Sequence, residues 1–245
     1  MIKLAVSGCF GRMGERITSL ALEDKNFKIF SLLENKDHPN ISRDRLQSVS
    51  TFLNIPVRTD SSTLKGAQVL IEFTSTQATL EHLEICQKYK VKMVIGTTGF
   101  SSEQIQKIRK ASKTLPIVFS SNMSVGVNIL FKLAQEAAAK FGSDYQVKIV
   151  EAHHIHKKDA PSGTAKTIAE VIEQSSKRKV SDIQSIREGE IIGDHRIVFE
   201  SPVDTLKISH HAKTRDIFAK GSLVAAKFLA KKKNGLFNMQ DVLGL

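Results

Sequence analysis

Tryptophan is absent from this chain of 245 residues, and tyrosine and cysteine occur only twice each. The two cysteines, Cys9 and Cys86, give no disulfide framework and lack the spacing of a metal site, so a reducing compartment is the default expectation. No apolar run approaches the ~18 residues of a membrane span, and the apolar start at residues 1–7 is too short for a signal core. The sequence therefore predicts a cytosolic protein with no membrane partner.

Acidic residues are also fewer than basic residues. Lysine and arginine number 36 against 25 aspartates and glutamates, which gives a formal net charge of +11. A charge of this size can serve nucleic-acid binding through phosphate contacts. In this chain the dense basic runs are only three residues long, at 177–179 and 231–233, and tyrosine and tryptophan are scarce for base stacking. We expect a solvated surface that attracts small anionic ligands, with a nucleic-acid-binding protein as the less favoured alternative.

Short apolar strands alternate with helical patterns through the first half of the chain. The patterns predict strands at 2–7, 27–33, 69–73, 91–95 and 117–120, and helices at 12–22, 78–89 and 104–113. A capping-type start at Ser101 precedes the last of these helices. A succession of this kind predicts an α/β fold with a Rossmann-like, doubly wound parallel sheet.

The hydrophobic pattern of the sequence changes after a predicted helix at 125–141. Longer and more regularly alternating strands follow, at 145–151, 196–200 and 206–210. Alternation is typical of a sheet with one covered face, which predicts a smaller α+β domain with a mixed sheet. A final helix at 218–231 is most simply a return to the first domain. We therefore expect a dinucleotide-binding domain at 1–124, completed by 215–245, and a substrate-binding and oligomerisation domain at 125–214.

A glycine-rich turn separates the first predicted strand from the first helix. Its glycines, Gly8, Gly11 and Gly14, are spaced GxxGxxG rather than GxGxxG, and such a turn lets the backbone approach a pyrophosphate that the helix start stabilises. Glu34 follows the second strand, where a carboxylate can accept a hydrogen bond from a ribose hydroxyl. Together these features predict a dinucleotide site. The alternative is a tight turn packed on the sheet, with Glu34 as a solvated loop residue.

Two further loops, at 96–100 and 120–124, leave the carboxyl ends of predicted strands. Ligands of doubly wound sheets bind outside those ends, so both loops are candidates for the nicotinamide half of the site. Small polar loops also occur for turn chemistry alone.

The densest group of titratable side chains lies at 151–165. Three histidines and two lysines lead into residues 161–164, whose proline, small residues and hydroxyls suit the start of a helix with free N–H groups for an anion. Proton donors beside such an anion site indicate protonation of a carboxylate-bearing or phosphate-bearing substrate. The alternatives are zinc ligation by His153, His154 and His156, which lack a cysteine or acidic partner at a familiar spacing, and histidines of the core or surface.

Motifs along nearly the whole chain carry a resemblance to a known family. They are GCFGRMG at 8–14, VIGTTGF at 94–100, NMSVGVN at 122–128, EAHHIHKKDAPSGTA at 151–165, REG at 187–189 and GLFNMQDVL at 235–243. In this order they resemble the 4-hydroxy-tetrahydrodipicolinate reductase family, also called dihydrodipicolinate reductase. The run at 151–165 is far more specific than the glycine turn.

The resemblance implies an activity and a set of site residues. The activity would be reduction of the cyclic dicarboxylate intermediate of lysine and diaminopimelate biosynthesis to tetrahydrodipicolinate, with NADH or NADPH, in a homotetramer without a metal. His153 would be the proton donor and acceptor and Lys157 a second proton donor. Substrate contacts would come from His154, Gly163 and Thr164. The implied cofactor contacts are Gly8, Cys9, Phe10, Gly11, Arg12, Met13, Glu34, Gly96, Thr97, Thr98, Ser120, Ser121, Asn122 and Met123. The rival enzymatic reading is another Rossmann oxidoreductase acting on an amino or keto dicarboxylate.

Overall fold

The computed structural model describes residues 1–41 and 55–245. They form two compact units, one of Met1–Ser124 with Phe218–Gly244 and the other of Val125–Ile217. Within these described ranges no helix is both long and apolar enough to cross a membrane.

Strands and helices alternate along most of the chain. The strands are β1 (Ile2–Ser7), β2 (Phe27–Leu33), β3 (Val57–Arg58), β4 (Val69–Glu72), β5 (Lys92–Ile95), β6 (Pro116–Phe119), β7 (Gln146–His153), β8 (Asp182–Arg187), β9 (Asp194–Glu200), β10 (Thr205–His211) and β11 (Gly235–Phe237). The helices are α1 (Arg12–Glu23), α2 (Thr76–Tyr89), α3 (Ser102–Ser112), α4 (Val125–Lys140), α5 (Gly163–Ser176), α6 (Asp216–Ala230) and α7 (Met239–Leu243), with 3-10 turns at Pro39–Ile41 and Ser61–Leu64.

Seven strands of the described chain form the sheet of the first unit, in the order β11-β6-β5-β4-β1-β2-β3. Every pair in it is parallel. All four residues of β4 are buried, as expected for a strand with both faces covered. The predicted doubly wound parallel sheet is confirmed. Because β1 lies between β2 and β4, the strand order reverses at β1, which is where such folds bind ligands.

Local sequence signals explain where the helices of this unit begin. Ser101 and Gln104 form a reciprocal capping box, so α3 starts at residue 102, two residues before the predicted start. Helix α1 buries Ile17 and Ala21 on one face and starts directly after Gly11, so that Gly14 lies in its first turn. The predicted helix at 12–22 extends by one residue.

The second unit has a mixed sheet in the order β10-β9-β7-β8, with β7 and β8 parallel and the other pairs antiparallel. The mixed sheet is also as predicted. Its core combines apolar side chains of α4, α5 and the sheet, among them Phe131, Ile168, Ile149 and Phe199. Strand β8 is not among the predicted strands, and β7 continues two residues beyond its predicted end at 151. Both differences affect the site described below.

Candidate active site

A pocket of about 540 Å³ lies in the first unit, at the carboxyl ends of β1, β2 and β4. Its lining consists of Ser7, Gly8, Leu33, Glu34, Asn35, Lys36, Asp37, Thr59, Thr74, Ser75, Ala78, Glu81 and His82. The pocket therefore occupies the point where the strand order reverses. Among the predicted cofactor residues, Gly8 and Glu34 line it.

The glycine turn is packed tightly against the start of α1. Gly8 has a φ of +69°, and its carbonyl oxygen accepts a hydrogen bond of 2.9 Å from the N–H of Gly11. A Cβ atom on Gly14 would lie 2.0 Å from that same oxygen, so the helix can approach the turn only with glycine at this position. The carboxylate of Glu34 accepts hydrogen bonds of 2.9 Å from the N–H groups of Phe10 and Asn35. These contacts hold the carboxylate beside the turn.

The remaining predicted cofactor loops follow β5 and β6, at the same edge of the parallel sheet. The Thr97 hydroxyl oxygen is 3.1 Å from both the backbone nitrogen of Thr74 and the hydroxyl of Thr79, so Thr97 connects the loop after β5 to the loop after β4 and to α2. Met123 is buried as a whole residue, and its backbone oxygen packs closely against Gly221. Burial, and to a lesser extent the nearby charge of Glu34, raises the pKa of the Cys9 thiol to about 12. Cys9 is thus a neutral packing residue.

One feature of this pocket was missed from the sequence. The carboxylate of Glu72 is fully buried at the end of β4 and lies 2.7 Å from Nδ1 of His82, while the Thr74 hydroxyl donates to it. Burial opposes a charge on the imidazole, but the hydrogen bond and charge of Glu72 prevail and raise the pKa of His82. The contact with Glu72 therefore stabilises the cationic form of an imidazole that lines this pocket. A glutamate that ends an otherwise apolar strand was the available signal.

In the second unit, the register between strands places titratable side chains close together. Along β7 the covered face carries apolar side chains first and then Glu151 and His153. Glu151 is paired with His195 of β9, and His153 with Arg187 of β8. Because alternate residues share a face, four ionisable side chains meet at one end of the sheet.

Glu151 lies at the centre of this group. Its carboxylate accepts two hydrogen bonds from the Arg187 guanidinium, of 2.8 and 3.0 Å, and one of 3.2 Å from the N–H of Ser162. Nδ1 of His153 is 2.5 Å from Oε2 of the same carboxylate. The His195 ring stands edge-on to the His153 ring, with 5.2 Å between their centroids, and its Nε2 is 3.4 Å from the Ser162 hydroxyl.

These contacts change the protonation of each group. Burial alone would raise the pKa of Glu151, but hydrogen bonds, led by those of Arg187, lower it to about 2. Burial lowers the pKa of His153 despite the opposing pull of Glu151. Burial, with the neighbouring His153, lowers the pKa of His195 to about 4. The cluster therefore contains an ionised carboxylate, a guanidinium and two imidazoles that tend to be neutral.

Lys157 and the start of α5 flank the cluster. The ammonium group of Lys157 is 2.8 Å from the carboxylate of Asp159, whose backbone oxygen accepts a hydrogen bond of 2.5 Å from Arg187. The Ser162 hydroxyl caps α5 by accepting from the N–H of Ala165. Gly163 is exposed, and a Cβ atom added to it would meet nothing within 4 Å. Gly163 thus leaves open space beside the start of α5, where the N–H groups of Ser162, Gly163 and Ala165 have acceptors in Glu151, Asp159 and Ser162.

The other two histidines of the run lie close to each other. His156 is exposed and lies 3.6 Å from Glu190, and the His154 ring is 6.1 Å from the His156 ring. Among residues 1–41 and 55–245, no group of three histidine, cysteine, aspartate or glutamate side chains could hold a metal ion. His195, Arg187 and Glu151 belong to the cluster although the sequence alone assigned no role to them.

Comparison with known proteins identifies a family for both halves of the chain. Residues 2–123 match the family model described as dihydrodipicolinate reductase, N-terminus, and residues 126–243 match the one described as dihydrodipicolinate reductase, C-terminus. The 4-hydroxy-tetrahydrodipicolinate reductase of Nitrosomonas eutropha is 42% identical, over 100% of this chain and 99% of the relative. That of Syntrophus aciditrophicus is 38% identical, with the same coverage.

Solved structures show the same similarity. The dipicolinate-bound dihydrodipicolinate reductase from Paenisporosarcina sp. TG-14 superimposes with a TM-score of 0.84 at 26% identity, and 98% of each chain is covered. The amine dehydrogenase from Mycobacterium smegmatis, at 9% identity and a TM-score of 0.69, shares the fold alone. Both halves of the chain match their family models and the relatives match over its full length, so this chain belongs to the dihydrodipicolinate reductase family of NAD(P)H-dependent oxidoreductases.

Proposed function

We propose that this chain reduces the cyclic dicarboxylate 4-hydroxy-tetrahydrodipicolinate to tetrahydrodipicolinate, a step of lysine and diaminopimelate biosynthesis. The observation that carries the proposal is the His153 cluster beside the open start of α5. It combines a proton donor with an anion site, and the first unit has a pocket suited to a dinucleotide. Bound NADH or NADPH supplies the hydride.

The residues of the first unit fit a dinucleotide. No side chain caps the start of α1 at Gly11, and such an uncapped helix start suits a pyrophosphate. The carboxylate of Glu34 is fixed where it can accept from a ribose hydroxyl. Arg12, Phe10 and the loops at 96–98 and 120–123 complete the proposed contacts.

Proton transfer is assigned to His153 and Lys157. Hydride addition to an imine-type ring leaves electron density that a positioned acid must protonate. Nδ1 of His153 is engaged by Glu151, so Nε2 is the nitrogen available to substrate. A Cβ atom on Gly193 would lie 3.2 Å from Nε2, which means that glycine leaves space beside the reacting nitrogen. Lys157, anchored by Asp159, is the second donor.

The substrate carries two carboxylates, and the second unit offers cationic and N–H groups for both. One carboxylate is assigned to the start of α5, beside Gly163 and Thr164. The other is assigned to His154. That the Paenisporosarcina relative was solved with dipicolinate, a planar dicarboxylate, supports this class of ligand.

A homotetramer in the cytosol, without nucleic-acid or membrane partners, completes the proposal. The second unit leaves apolar side chains exposed in and before β10, with Leu206 at 40% and Val203 at 88% exposure. Light scattering on the purified protein measures the assembly directly.

The decisive experiment is oxidation of NADH or NADPH by the purified chain when it is supplied with the cyclised product of pyruvate and aspartate semialdehyde. Turnover with this substrate, and none with open-chain amino or keto dicarboxylates, supports the proposed reaction. Turnover only with the open-chain substrates would assign the chain to a different reductase. Retention on DNA that survives moderate salt would instead favour the nucleic-acid alternative.

Glu34→Gln tests the cofactor preference. The wild type should bind NADH at least as well as NADPH, because a 2′-phosphate would meet the Glu34 carboxylate. The amide of the variant keeps an oxygen for the Phe10 N–H but loses the charge, so the preference should move towards NADPH by roughly tenfold. Fluorescence titration of both nucleotides measures the ratio. An unchanged ratio would remove Glu34 from the ribose site.

Gly163→Ala and Thr164→Val test the carboxylate site. Both should raise KM for the substrate with a smaller effect on kcat, because they obstruct or remove ground-state contacts. The added methyl of Gly163→Ala meets no protein atom within 4 Å, so a loss of affinity would report on the ligand. Thr167→Val, one turn further along α5, is the matched control. Dipicolinate should inhibit the wild type more strongly than monocarboxylate analogues, and equal inhibition would contradict two-point binding.

A further inference from the structure

Glu151 contacts His153 directly and is connected to Lys157 through Arg187 and Asp159, although it has no place in the reaction itself. We infer that Glu151, clamped by Arg187, is the positioning residue that holds His153, Lys157 and the start of α5 in one reactive arrangement. The inference rests on the proposed function and names which residues make that site work.

The contact between Glu151 and His153 fixes the tautomer of the histidine. An ionised carboxylate only accepts hydrogen bonds, so the 2.5 Å contact requires the proton of the neutral ring to reside on Nδ1. Nε2 is then the nitrogen that binds and releases the transferred proton. A buried carboxylate that sets the tautomer and orientation of a neighbouring imidazole is a known device of acid–base catalysis.

A second chain of contacts runs from Glu151 to Lys157. The Arg187 guanidinium places two hydrogen bonds on Glu151 and donates a third, of 2.5 Å, to the backbone oxygen of Asp159. The side chain of Asp159 in turn holds the Lys157 ammonium at 2.8 Å. Arg187 therefore connects the loop that carries Lys157 to the buried carboxylate.

The third contact anchors the carboxylate-binding end of α5. The N–H of Ser162, the residue that caps α5, donates to Oε1 of Glu151 at 3.2 Å. Because Oε2 faces His153, the two oxygens of one carboxylate serve the proton donor and the anion site separately.

The charges around His153 predict the direction in which its pKa shifts when a neighbouring charge is removed. The groups that face it are Glu151 on β7, Arg187 on β8, neutral His195 on β9 and Lys157 in the following loop. Glu151 raises the pKa of His153, whereas Arg187 and Lys157 lower it. Neutralising Glu151 and neutralising Arg187 must therefore shift the titration of His153 in opposite directions.

The experiment compares Glu151→Gln and Arg187→Gln with the wild type in the reductase assay across pH. With His153 as the acid, activity falls as pH rises through its pKa. Glu151→Gln should move this fall to lower pH and Arg187→Gln should move it to higher pH, each by about one pH unit. Glu151→Gln should also lower kcat about 100-fold, with a much smaller change in KM. Shifts in the same direction, or none, would overturn the inference.

Charge-matched variants separate positioning from folding. Glu151→Asp and Arg187→Lys keep the charges but shorten or simplify the contacts, so they should leave the pH profile near that of the wild type while lowering kcat by a smaller factor. A profile that moves as far in these variants as in the neutral ones would contradict the assignment of the shift to charge.

A measurement on the unaltered protein covers the case in which the neutral variants do not fold. The ¹⁵N chemical shifts of the His153 ring, assigned by comparison with His153→Gln, should show a neutral ring protonated at Nδ1. A ring protonated at Nε2 would overturn the inference, whatever the activity. A wild type without reductase activity but with the Nδ1 tautomer would instead refute the proposed function and leave the geometry intact.

Discussion

His153→Gln is expected to lower kcat by about 10²–10⁴-fold while the affinity for NADH stays close to that of the wild type. The reason is that His153 is the proposed proton donor, is buried and has its Nδ1 engaged, whereas the proposed dinucleotide pocket belongs to the other compact unit. Lys157→Met should lower kcat in the same way. Steady-state kinetics at saturating cofactor, together with fluorescence titration of NADH, measure both quantities.

His156→Gln is the matched control, because it makes the same substitution three residues away. The His156 side chain is 71% exposed and faces Glu190 rather than the cluster, so its variant should retain near-normal turnover. A His153→Gln variant with near-normal turnover would remove His153 from proton transfer. Equal losses in both variants would point to disruption of the loop rather than to chemistry.

The sheet of the first unit could be predicted because strands that are buried on both faces appear in the sequence as short apolar runs. Strand β4 is apolar apart from its last residue, and β1 has a similar apolar run. Strand β8 escaped prediction because only Ile183 and Ile186 are apolar, and their spacing does not fit the alternation of a strand. Strand β11 has just three residues and gains its identity from pairing with β6.

The candidate site, like the fold, could be predicted only in part from the sequence. His153, Lys157 and the start of α5 are neighbours in the chain, so their association could be read from the sequence. The partners of Glu151 could not, because Arg187 and His195 reach it from β8 and β9, and that placement depends on the register between strands. The same holds for Glu72 and His82, which meet because the end of β4 faces α2. Sequence motifs identify side chains that are close together in the chain. Strand pairing then brings charged side chains from distant parts of the chain into contact with them.

Gly14→Ala is expected to weaken NADH binding at least 100-fold and to destabilise the protein by about 1–3 kcal/mol. Its methyl group would lie 2.0 Å from the Gly8 oxygen and 2.7 Å from Cα of Cys9. Both are backbone atoms and cannot rotate away, so α1 must move off the turn. That movement would displace the Phe10 N–H from Glu34 and open the proposed pyrophosphate site.

The sign of the stability change makes this a strict test. Gly14 is the third residue of α1, and alanine within a helix is normally favoured over glycine by about 1 kcal/mol. Helix propensity alone therefore predicts stabilisation, whereas the close approach predicts the opposite. Gly11→Ala serves as a graded comparison, because its methyl group would be 3.1 Å from the Gly8 oxygen and demands a smaller adjustment. Thermal unfolding and NADH titration of both variants decide between the two effects. A Gly14→Ala protein that is more stable and binds NADH normally would show that the turn does not need the close contact, and would remove the packing argument for a dinucleotide site at Gly8.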